Sequence, residues 1–159
     1  MTTLRLMLGL VATENLELVQ MDVKTSFLHG DLDEDIYMQQ PEGFAVPGKE
    51  HLVCKLRKSL YGLKQAPRQW YQKFDTFMHS HGFKRSAEDP CLYVKRPRNG
   101  QLIMLILYVD DMLITSHSNK DISDLKQKLS SQFDMKDLGD AHHILGMRIT
   151  RDRKNGLLY

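Results

Sequence analysis

The sequence is poor in the features that mark secreted, membrane-spanning or repetitive proteins. It has two cysteines among 159 residues, which is typical of a reduced protein without a disulfide framework. Its longest uninterrupted apolar run, Leu102 to Val109, is too short to cross a bilayer. It contains no internal repeat, low-complexity tract or evident leader peptide. These absences predict a cytoplasmic or nuclear domain that is not secreted and has no membrane partner.

Net charge is also scarce, since the formal value of +2 is too small to indicate a nucleic-acid partner by itself. The distribution is more informative than the sum. Two basic clusters stand out: Lys55, Arg57, Lys58, Lys64, Arg68 and Lys73, with no acid among them, and Arg148, Arg151, Arg153 and Lys154. Such clusters can follow a phosphate backbone, and they are equally typical of solvated surface.

Apolar periodicity and turn residues predict an α+β fold with a mostly antiparallel sheet and helices packed on one face. Predicted helices cover the N-terminal segment, with Leu4, Met7, Leu8 and Val11 on one face, residues 67–81, and residues 120–133 capped by Ser118 or Asn119. Predicted strands are 16–23, 36–38, 92–94, 101–109 and 112–115, with turns at Arg98-Asn99-Gly100 and Lys154-Asn155-Gly156.

The segment Leu105–Ile114 is strongly apolar, yet it carries Asp110 and Asp111 at its centre. Burying an unpaired carboxylate is costly, and two adjacent carboxylates also repel each other. The pair is therefore expected at the tip of a buried hairpin, where it can meet solvent or a cation. Asp-Asp is also an ordinary polar turn dipeptide, so these ten residues alone leave both interpretations open.

Mg²⁺ prefers oxygen ligands and commonly uses one or two carboxylates, with water and substrate phosphates as the remaining ligands. Two carboxylates alone make a poor site, and a third acid at the end of a neighbouring strand would complete a familiar arrangement. Asp22 is the candidate, since it follows the apolar strand that begins at Leu16. Three converging carboxylates repel one another strongly unless a cation offsets their charge. Two metal ions held by such acids are suited to in-line phosphoryl transfer.

Four longer motifs resemble those of copia-type retrotransposon reverse transcriptases. They are Tyr108-Val109-Asp110-Asp111, the segment from Gln20 to Leu32, the segment from Ser59 to Trp70, and Leu138-Gly139 with Ile144-Leu145-Gly146-Met147. The resemblance covers essentially all 159 residues, and the likeness is strongest to the Pol polyproteins of plant elements. Ser26 stands where the family usually has Ala.

The resemblance implies that residues 1–159 are a polymerase palm core, with incomplete fingers at the N-terminus and without thumb or RNase H. The implied activity is RNA-directed DNA synthesis from dNTP on an RNA or DNA template-primer, with two Mg²⁺ ions or Mn²⁺ instead. Implied partners include the rest of the Pol polyprotein, namely fingers, thumb, RNase H and integrase. The implied location is a cytoplasmic virus-like particle or the nucleus, and the 159 residues alone are expected to be weakly active or inactive.

Residue roles follow from the same resemblance. Asp22, Asp110 and Asp111 would be catalytic and bind the metals, and Phe27 would be a steric gate against the ribose 2′-hydroxyl. The implied nucleotide-binding residues are Lys24, Thr25, Ser26, Phe27, Gly62, Lys64 and Gln65, with the backbone amides of residues 24–26 near the triphosphate. The implied template-primer residues are Pro67, Arg68, Tyr108, Val109, Leu145, Gly146 and Met147, and Lys64 and Gln65 would also help to shape the template side.

Each of these roles has a simpler structural or non-catalytic alternative. Phe27 can be a core aromatic, Gly62 a helix breaker and Lys64 a solvated surface residue. The whole chain can be an inactive remnant of a decayed element, although the three acids are intact. A zinc hydrolase is disfavoured, because His79, His81, His142, His143 and the two cysteines match no standard ligand spacing.

Overall fold

The computed structural model describes residues 2–97 and 100–159. They form two compact units, one comprising the chain up to Thr25 together with Asp75–Tyr159, and the other comprising Ser26–Phe74. In chain order the elements are α1 (Thr2–Thr13), β1 (Glu17–Val23), a 3₁₀ helix (Ser26–His29), β2 (Tyr37–Gln39), β3 (Val53–Lys55), α2 (Ala66–Ser80), β4 (Lys84–Arg85), β5 (Leu92–Lys95), β6 (Ile103–Tyr108), β7 (Asp111–Ser116), α3 (Asn119–Gln132), β8 (Met135–Asp140), β9 (His143–Ile144), β10 (Met147–Arg148), β11 (Arg151–Asp152) and β12 (Leu157–Leu158).

The first unit is built around a six-stranded sheet in the order β4-β5-β6-β7-β1-β8, in which every neighbouring pair is antiparallel. The central strands β6 and β7 are buried along most of their length, as the apolar run predicts. The mixed fold class with a mostly antiparallel sheet is confirmed. None of the helices within residues 2–97 and 100–159 has the length and apolar character needed to cross a membrane.

Alternate residues of the sheet face two different helical layers. On one face, Leu18, Leu113 and Ile106 join a core cluster that includes Leu4 and Met7 of α1. On the other face, α3 contacts β7 and buries Ile122, Leu125 and Leu129. The C-terminal half of α2 lies on this second face too, since the Tyr93 hydroxyl donates to Asp75 at 2.9 Å. Both faces of the central strands are therefore covered.

The second unit is organised around the N-terminal part of α2. Trp70 is buried, with its ring 5.5 Å from Phe74 and 5.9 Å from His29. Gly30 lies so close to α2 that an added Cβ would approach Gln69 Cβ at 2.9 Å. No other residue fits there without displacing the helix, so Gly30 permits the close approach of the 3₁₀ segment to α2.

Most predicted elements are present, and the differences have physical causes. Ser118 is the N-cap of α3, because its hydroxyl accepts from the Asp121 amide. The tail hairpin is confirmed, since β11 pairs with β12 on either side of residues 153–156. Strand β8 is absent from the sequence prediction, because its exposed edge position tolerates the polar sequence Met-Lys-Asp-Leu-Gly-Asp. The Arg98-Asn99 part of the other predicted turn lies outside the described residues.

Candidate functional site

The three aspartates come together at one end of the sheet in the first unit. Asp22 is paired with Asp111 in the register of β1 and β7, so the two side chains lie on the same face. The Val23 amide donates to the Asp110 carbonyl at 2.9 Å, which ties the end of β1 to the turn between β6 and β7. The predicted convergence of Asp22 with the Asp110-Asp111 hairpin is therefore present.

The turn that carries Asp110 is tight and strained. Only Val109 and Asp110 separate β6 from β7, and Val109 has φ of 60°. A positive φ is unfavourable for a β-branched residue, and such strain is concentrated at functional sites. Val109 is also 55% exposed, so its side chain gains little from burial. The hairpin therefore holds the two aspartates in a backbone geometry that the turn sequence does not itself favour.

Burial and mutual repulsion act on the carboxylates in the same direction. Desolvation raises the pKa of Asp22, the negative charge of Asp110 raises it further, and Lys136 on the neighbouring strand opposes both effects. Desolvation also raises the pKa of Asp111, a hydrogen bond from Gln20 opposes this, and the charges of Asp22 and Asp110 raise it again. The site therefore concentrates negative charge that favours a proton or a cation.

Gln20 is a member of the site that the sequence analysis missed. Its Nε2 donates to Asp111 Oδ1 at 2.7 Å, and its side chain is only 7% exposed. The sequence feature that could have identified Gln20 is its position two residues before Asp22 on a mostly apolar strand. This spacing places Gln20 on the same face as that acid. A buried amide on such a face needs a polar partner, and the partner is Asp111.

The donor chemistry of this end of the sheet fits a divalent cation. Carboxylate oxygens are the ligands that Mg²⁺ and Mn²⁺ prefer. Burial raises the pKa of Asp22 and of Asp111, and the charges of the neighbouring carboxylates raise both pKa values further, so a bound cation would relieve part of the cost. Within residues 2–97 and 100–159, however, no three His, Cys, Asp or Glu side chains are grouped closely enough to hold a metal ion as they stand. The zinc alternative has no such group among the described residues either.

Comparison with known proteins identifies the family of the chain that carries this acidic hairpin. The family model described as reverse transcriptase (RNA-dependent DNA polymerase) matches residues 1–157. The chain belongs to the reverse transcriptase family. Members of this family typically use divalent metal ions. No solved structure gives a significant match to the chain.

Several curated relatives of this reverse transcriptase domain are retrotransposon proteins. Over its full length, the chain is 58% identical to a segment of the Retrovirus-related Pol polyprotein from transposon TNT 1-94 of Nicotiana tabacum. This segment makes up 12% of the tobacco protein. Over 94% of its length, the chain is 39% identical to a segment of the Retrovirus-related Pol polyprotein from transposon RE1 of Arabidopsis thaliana. This segment makes up 10% of the Arabidopsis protein. The chain thus spans about a tenth of the length of these relatives. The resemblance to plant copia-type Pol polyproteins is confirmed.

The predicted nucleotide-binding residues of the reverse transcriptase domain divide between the two units. Lys24 belongs to the first unit, where its amide donates to the Asp134 carbonyl at 2.9 Å and its ammonium lies 3.2 Å from the Asp134 carboxylate. This amide is thus already used by the fold. Thr25 follows with φ of 49°. In the second unit, the Ser26 hydroxyl is buried and makes no hydrogen bond to a described residue.

Phe27 lies in the 3₁₀ helix and packs against the ring of Tyr61, with a centroid distance of 4.8 Å. Phe27 is partly exposed and Tyr61 is 54% exposed, so this aromatic pair is not a core contact. The steric-gate role stays a prediction. The core alternative is weakened, because the buried aromatic residues of the second unit are Trp70 and Phe74.

The predicted template residues of the second unit lie around one open cleft. Lys64, Gln65 and Arg68 line a space of about 440 Å³, together with Asp33, Glu34 and Gln69. Pro67 occupies the first turn of α2, where its missing amide hydrogen costs nothing. Gly62 precedes this helix with φ of 94°, a conformation that disfavours any side chain.

The predicted primer residues of the first unit lie on two hairpins. Leu145 and Gly146 form the turn between β9 and β10, and both have positive φ, 49° and 76°. Met147 begins β10. On the other hairpin, the Tyr108 hydroxyl is buried and has no hydrogen-bond partner among the described residues. Contact of these residues with a primer stays a prediction.

Several cations of the two basic clusters already have partners within the fold, so fewer of them are available to bind phosphate. In the first cluster, Lys58 and Lys73 both pair with Asp31, and Lys55 pairs with Asp35 at 2.8 Å. In the second cluster, Arg151 donates to the Leu16 carbonyl, and Arg153 pairs with Glu17. Several cations of the two clusters are therefore committed to contacts within the fold. Arg148 lines an open cleft of about 620 Å³ together with Arg151, Arg153, His142 and His143.

Proposed function

We propose that this chain is the palm core of an RNA-directed DNA polymerase that transfers a deoxynucleotide from dNTP to a primer 3′-hydroxyl. The observation that carries the proposal is the arrangement of Asp22, Asp110 and Asp111 at one end of an antiparallel sheet, in a member of the reverse transcriptase family. The transferred group is a phosphoryl group, for which catalysis is mostly positioning and charge stabilisation. Rigid carboxylates on core strands are suited to that task.

In this proposal Asp22, Asp110 and Asp111 hold two Mg²⁺ ions, and Mn²⁺ can replace them. When bound, the pair of ions supplies charge stabilisation to both the attacking and the leaving oxygen of an in-line displacement. The contribution of the chain is to keep the carboxylates close and partly desolvated, so that their negative charge attracts cations. Lys136 limits this charge without removing it, because a single ammonium opposes three carboxylates.

The substrates proposed for the chain are a template-primer, with RNA or DNA as the template, and a dNTP. Phe27 would exclude the ribose 2′-hydroxyl, with Thr25, Ser26 and Gly62 near the nucleotide. Lys64, Gln65 and Arg68 support the template part of the proposal, because they share one open cleft.

The chain would work within a longer Pol polyprotein that supplies fingers, thumb, RNase H and integrase. The support for this setting is that the tobacco and Arabidopsis relatives are Pol polyproteins of which the chain matches about a tenth. Its proposed location is a cytoplasmic virus-like particle or the nucleus.

Primer extension tests the proposal against the inactive-remnant alternative. These 159 residues would replace the matched segment of the tobacco Pol polyprotein, to which they are 58% identical. The chimera and its natural parent would then be assayed with an RNA template, dNTP and Mg²⁺. Extension by the chimera supports the polymerase, whereas extension by the parent alone supports the remnant.

A further inference from the structure

We infer that Gln20 is a positioning residue for the polymerase reaction, because its side-chain amide fixes the orientation of the Asp111 carboxylate. The inference rests on the proposed function, since it assigns to Gln20 a role toward an acid of the proposed metal site. Gln20 itself carries no charge and would not contact the reacting atoms. Its role would be to present Asp111 in one orientation to a cation.

Strand geometry brings the two side chains together. Gln20 and Asp22 alternate onto the same face of β1, and the register pairs Asp22 with Asp111 and Gln20 with Leu113. Gln20 is thus the diagonal neighbour of Asp111, which is within reach of a long side chain. The Nε2 to Oδ1 distance of 2.7 Å is that of a short, charge-assisted hydrogen bond.

The edge strand β8 forms a bulge opposite Gln20 and Met21 of β1. Gln20 pairs with Gly139 and Met21 with Asp137, so Leu138 is an extra residue on the edge strand. The Asp137 carboxylate accepts from the Gly139 amide at 2.9 Å and from Lys126 at 2.8 Å. These bonds stabilise the irregular segment of β8 that lies beside Gln20.

The choice of an amide has a chemical consequence. A lysine at this position would also donate to Asp111, but its positive charge would cancel part of the negative charge that attracts a cation. A glutamine donates without changing the charge of the site, and its donor is present at every pH. Partners that orient a ligating carboxylate typically change metal affinity by about 10–100-fold when they are removed.

Two substitutions separate this role from simple packing. Gln20→Met keeps a long side chain and removes the hydrogen bond to Asp111. Thr115→Val is the matched control, because Thr115 lies on the same face of β7 and its hydroxyl donates a buried hydrogen bond to the Glu17 carbonyl at 2.6 Å. Both variants lose one buried hydrogen bond, but only Gln20→Met changes the surroundings of an aspartate of the site.

The test is the affinity of the 159-residue chain for Mn²⁺, followed by the electron paramagnetic resonance signal of the free ion. We expect Gln20→Met to bind Mn²⁺ about 10–100-fold more weakly than the natural chain and Thr115→Val to bind it equally well. Circular dichroism would verify folding of each variant. If Gln20→Met does not fold, Gln20→Asn serves instead, because its amide is one methylene too short to reach Asp111 in the same way.

The outcomes for this inference and for the proposed function differ. Mn²⁺ binding that is lost in Asp110→Asn but unchanged in a folded Gln20 variant would overturn the role of Gln20 alone. Absence of Mn²⁺ binding by the natural chain, or equal binding by Asp110→Asn, would overturn the proposed metal site and the inference with it. Weaker binding by Thr115→Val as well would show that loss of any buried hydrogen bond on this face is sufficient, and would overturn the specific role.

Discussion

Asp22 lies directly between Asp111 of β7 and Lys136 of β8 in the register of the sheet. A carboxylate and an ammonium thus flank the same acid from opposite sides, and both influence its charge. With Asp110 at the adjacent turn, this end of the sheet holds three carboxylates against one ammonium. The arrangement leaves negative charge in a partly desolvated place, which is a cost to folding unless a cation is bound.

Asp111→Asn is expected to stabilise the chain at pH 7 by less than about 1 kcal/mol, because solvent screens part of the charge of this half-exposed group. Burial raises the pKa of Asp111 above its ordinary value of 3.8, so the folded state binds its proton more tightly than the unfolded state does. Folding stability therefore falls as the pH rises through and above 3.8, and removing the carboxylate removes that loss. Urea unfolding at several pH values measures it, with the advantage of the variant disappearing toward pH 3.

Asp31→Asn is the control, because it is expected to change folding stability at pH 7 in the opposite direction. Hydrogen bonds from Lys58 and Lys73 lower the pKa of Asp31, so its carboxylate adds stability above pH 3.8 that is lost as the pH falls through its lower folded value. The group is largely exposed, so the variant should lose less than about 1 kcal/mol at pH 7. If both variants destabilise the chain at pH 7, the account of burial and repulsion acting on Asp111 is wrong.

Val109→Asn should raise the free energy of unfolding by about 1 kcal/mol, because asparagine tolerates the φ of 60° better than a β-branched residue does. For a chain of this length, that corresponds to an increase of about 2–4 °C in the unfolding temperature. Differential scanning calorimetry measures the change. Val19→Asn on β1 is the control, since the same substitution at that buried strand position should be strongly destabilising. A lower unfolding temperature in Val109→Asn would show that the turn is not strained by its valine.

The elements predicted from sequence are those whose apolar pattern is strong. Strands β1, β6 and β7 were recognisable because they are buried, and α3 was recognisable from its stripe of Ile122, Leu125 and Leu129. Edge strand β8 was not, since its polar residues face solvent and its pairing depends on β1.

Long-range pairing also explains what was missed in the site. The resemblance identified Asp22, Asp110 and Asp111, but the partner of Gln20 depends on the register between β1 and β7. The ion pairs of Arg153 with Glu17 and of Lys58 with Asp31 likewise join distant parts of the sequence. The sequence clusters alone therefore do not reveal which of their cations already have partners within the fold.

Phe27→Val in a complete polymerase should increase ribonucleotide incorporation relative to deoxynucleotide incorporation by about 10–100-fold, because a smaller side chain would no longer exclude the 2′-hydroxyl. Single-nucleotide incorporation with matched dNTP and rNTP measures the ratio. Phe44→Val is the matched control, since Phe44 is 79% exposed in the loop between β2 and β3. An unchanged ratio in Phe27→Val would show that Phe27 is only a packing residue.

Lys64→Ala and Arg68→Ala should each weaken template-primer binding and reduce its salt dependence. Each lost phosphate contact should lower the slope of log K against log salt concentration by about 0.7–0.9. Fluorescence anisotropy at several salt concentrations measures the slope in a complete polymerase. Lys55→Ala should leave it unchanged, because the Lys55 ammonium already pairs with Asp35 at 2.8 Å. If the three variants had the same slope, Lys64 and Arg68 would not make the predicted phosphate contacts, and the cleft would not bind the template.

The most direct test of the central claim is the single-turnover rate of nucleotide addition to a primer on an RNA template. It would compare the chimeric polymerase with its Asp22→Asn, Asp110→Asn and Asp111→Asn variants. Asp152→Asn, which alters an acid in the tail hairpin, is the control. We predict that each of the three site variants loses at least about a thousandfold in rate, whereas the control keeps the natural rate. A rate near the natural value in any of the three site variants would contradict the account.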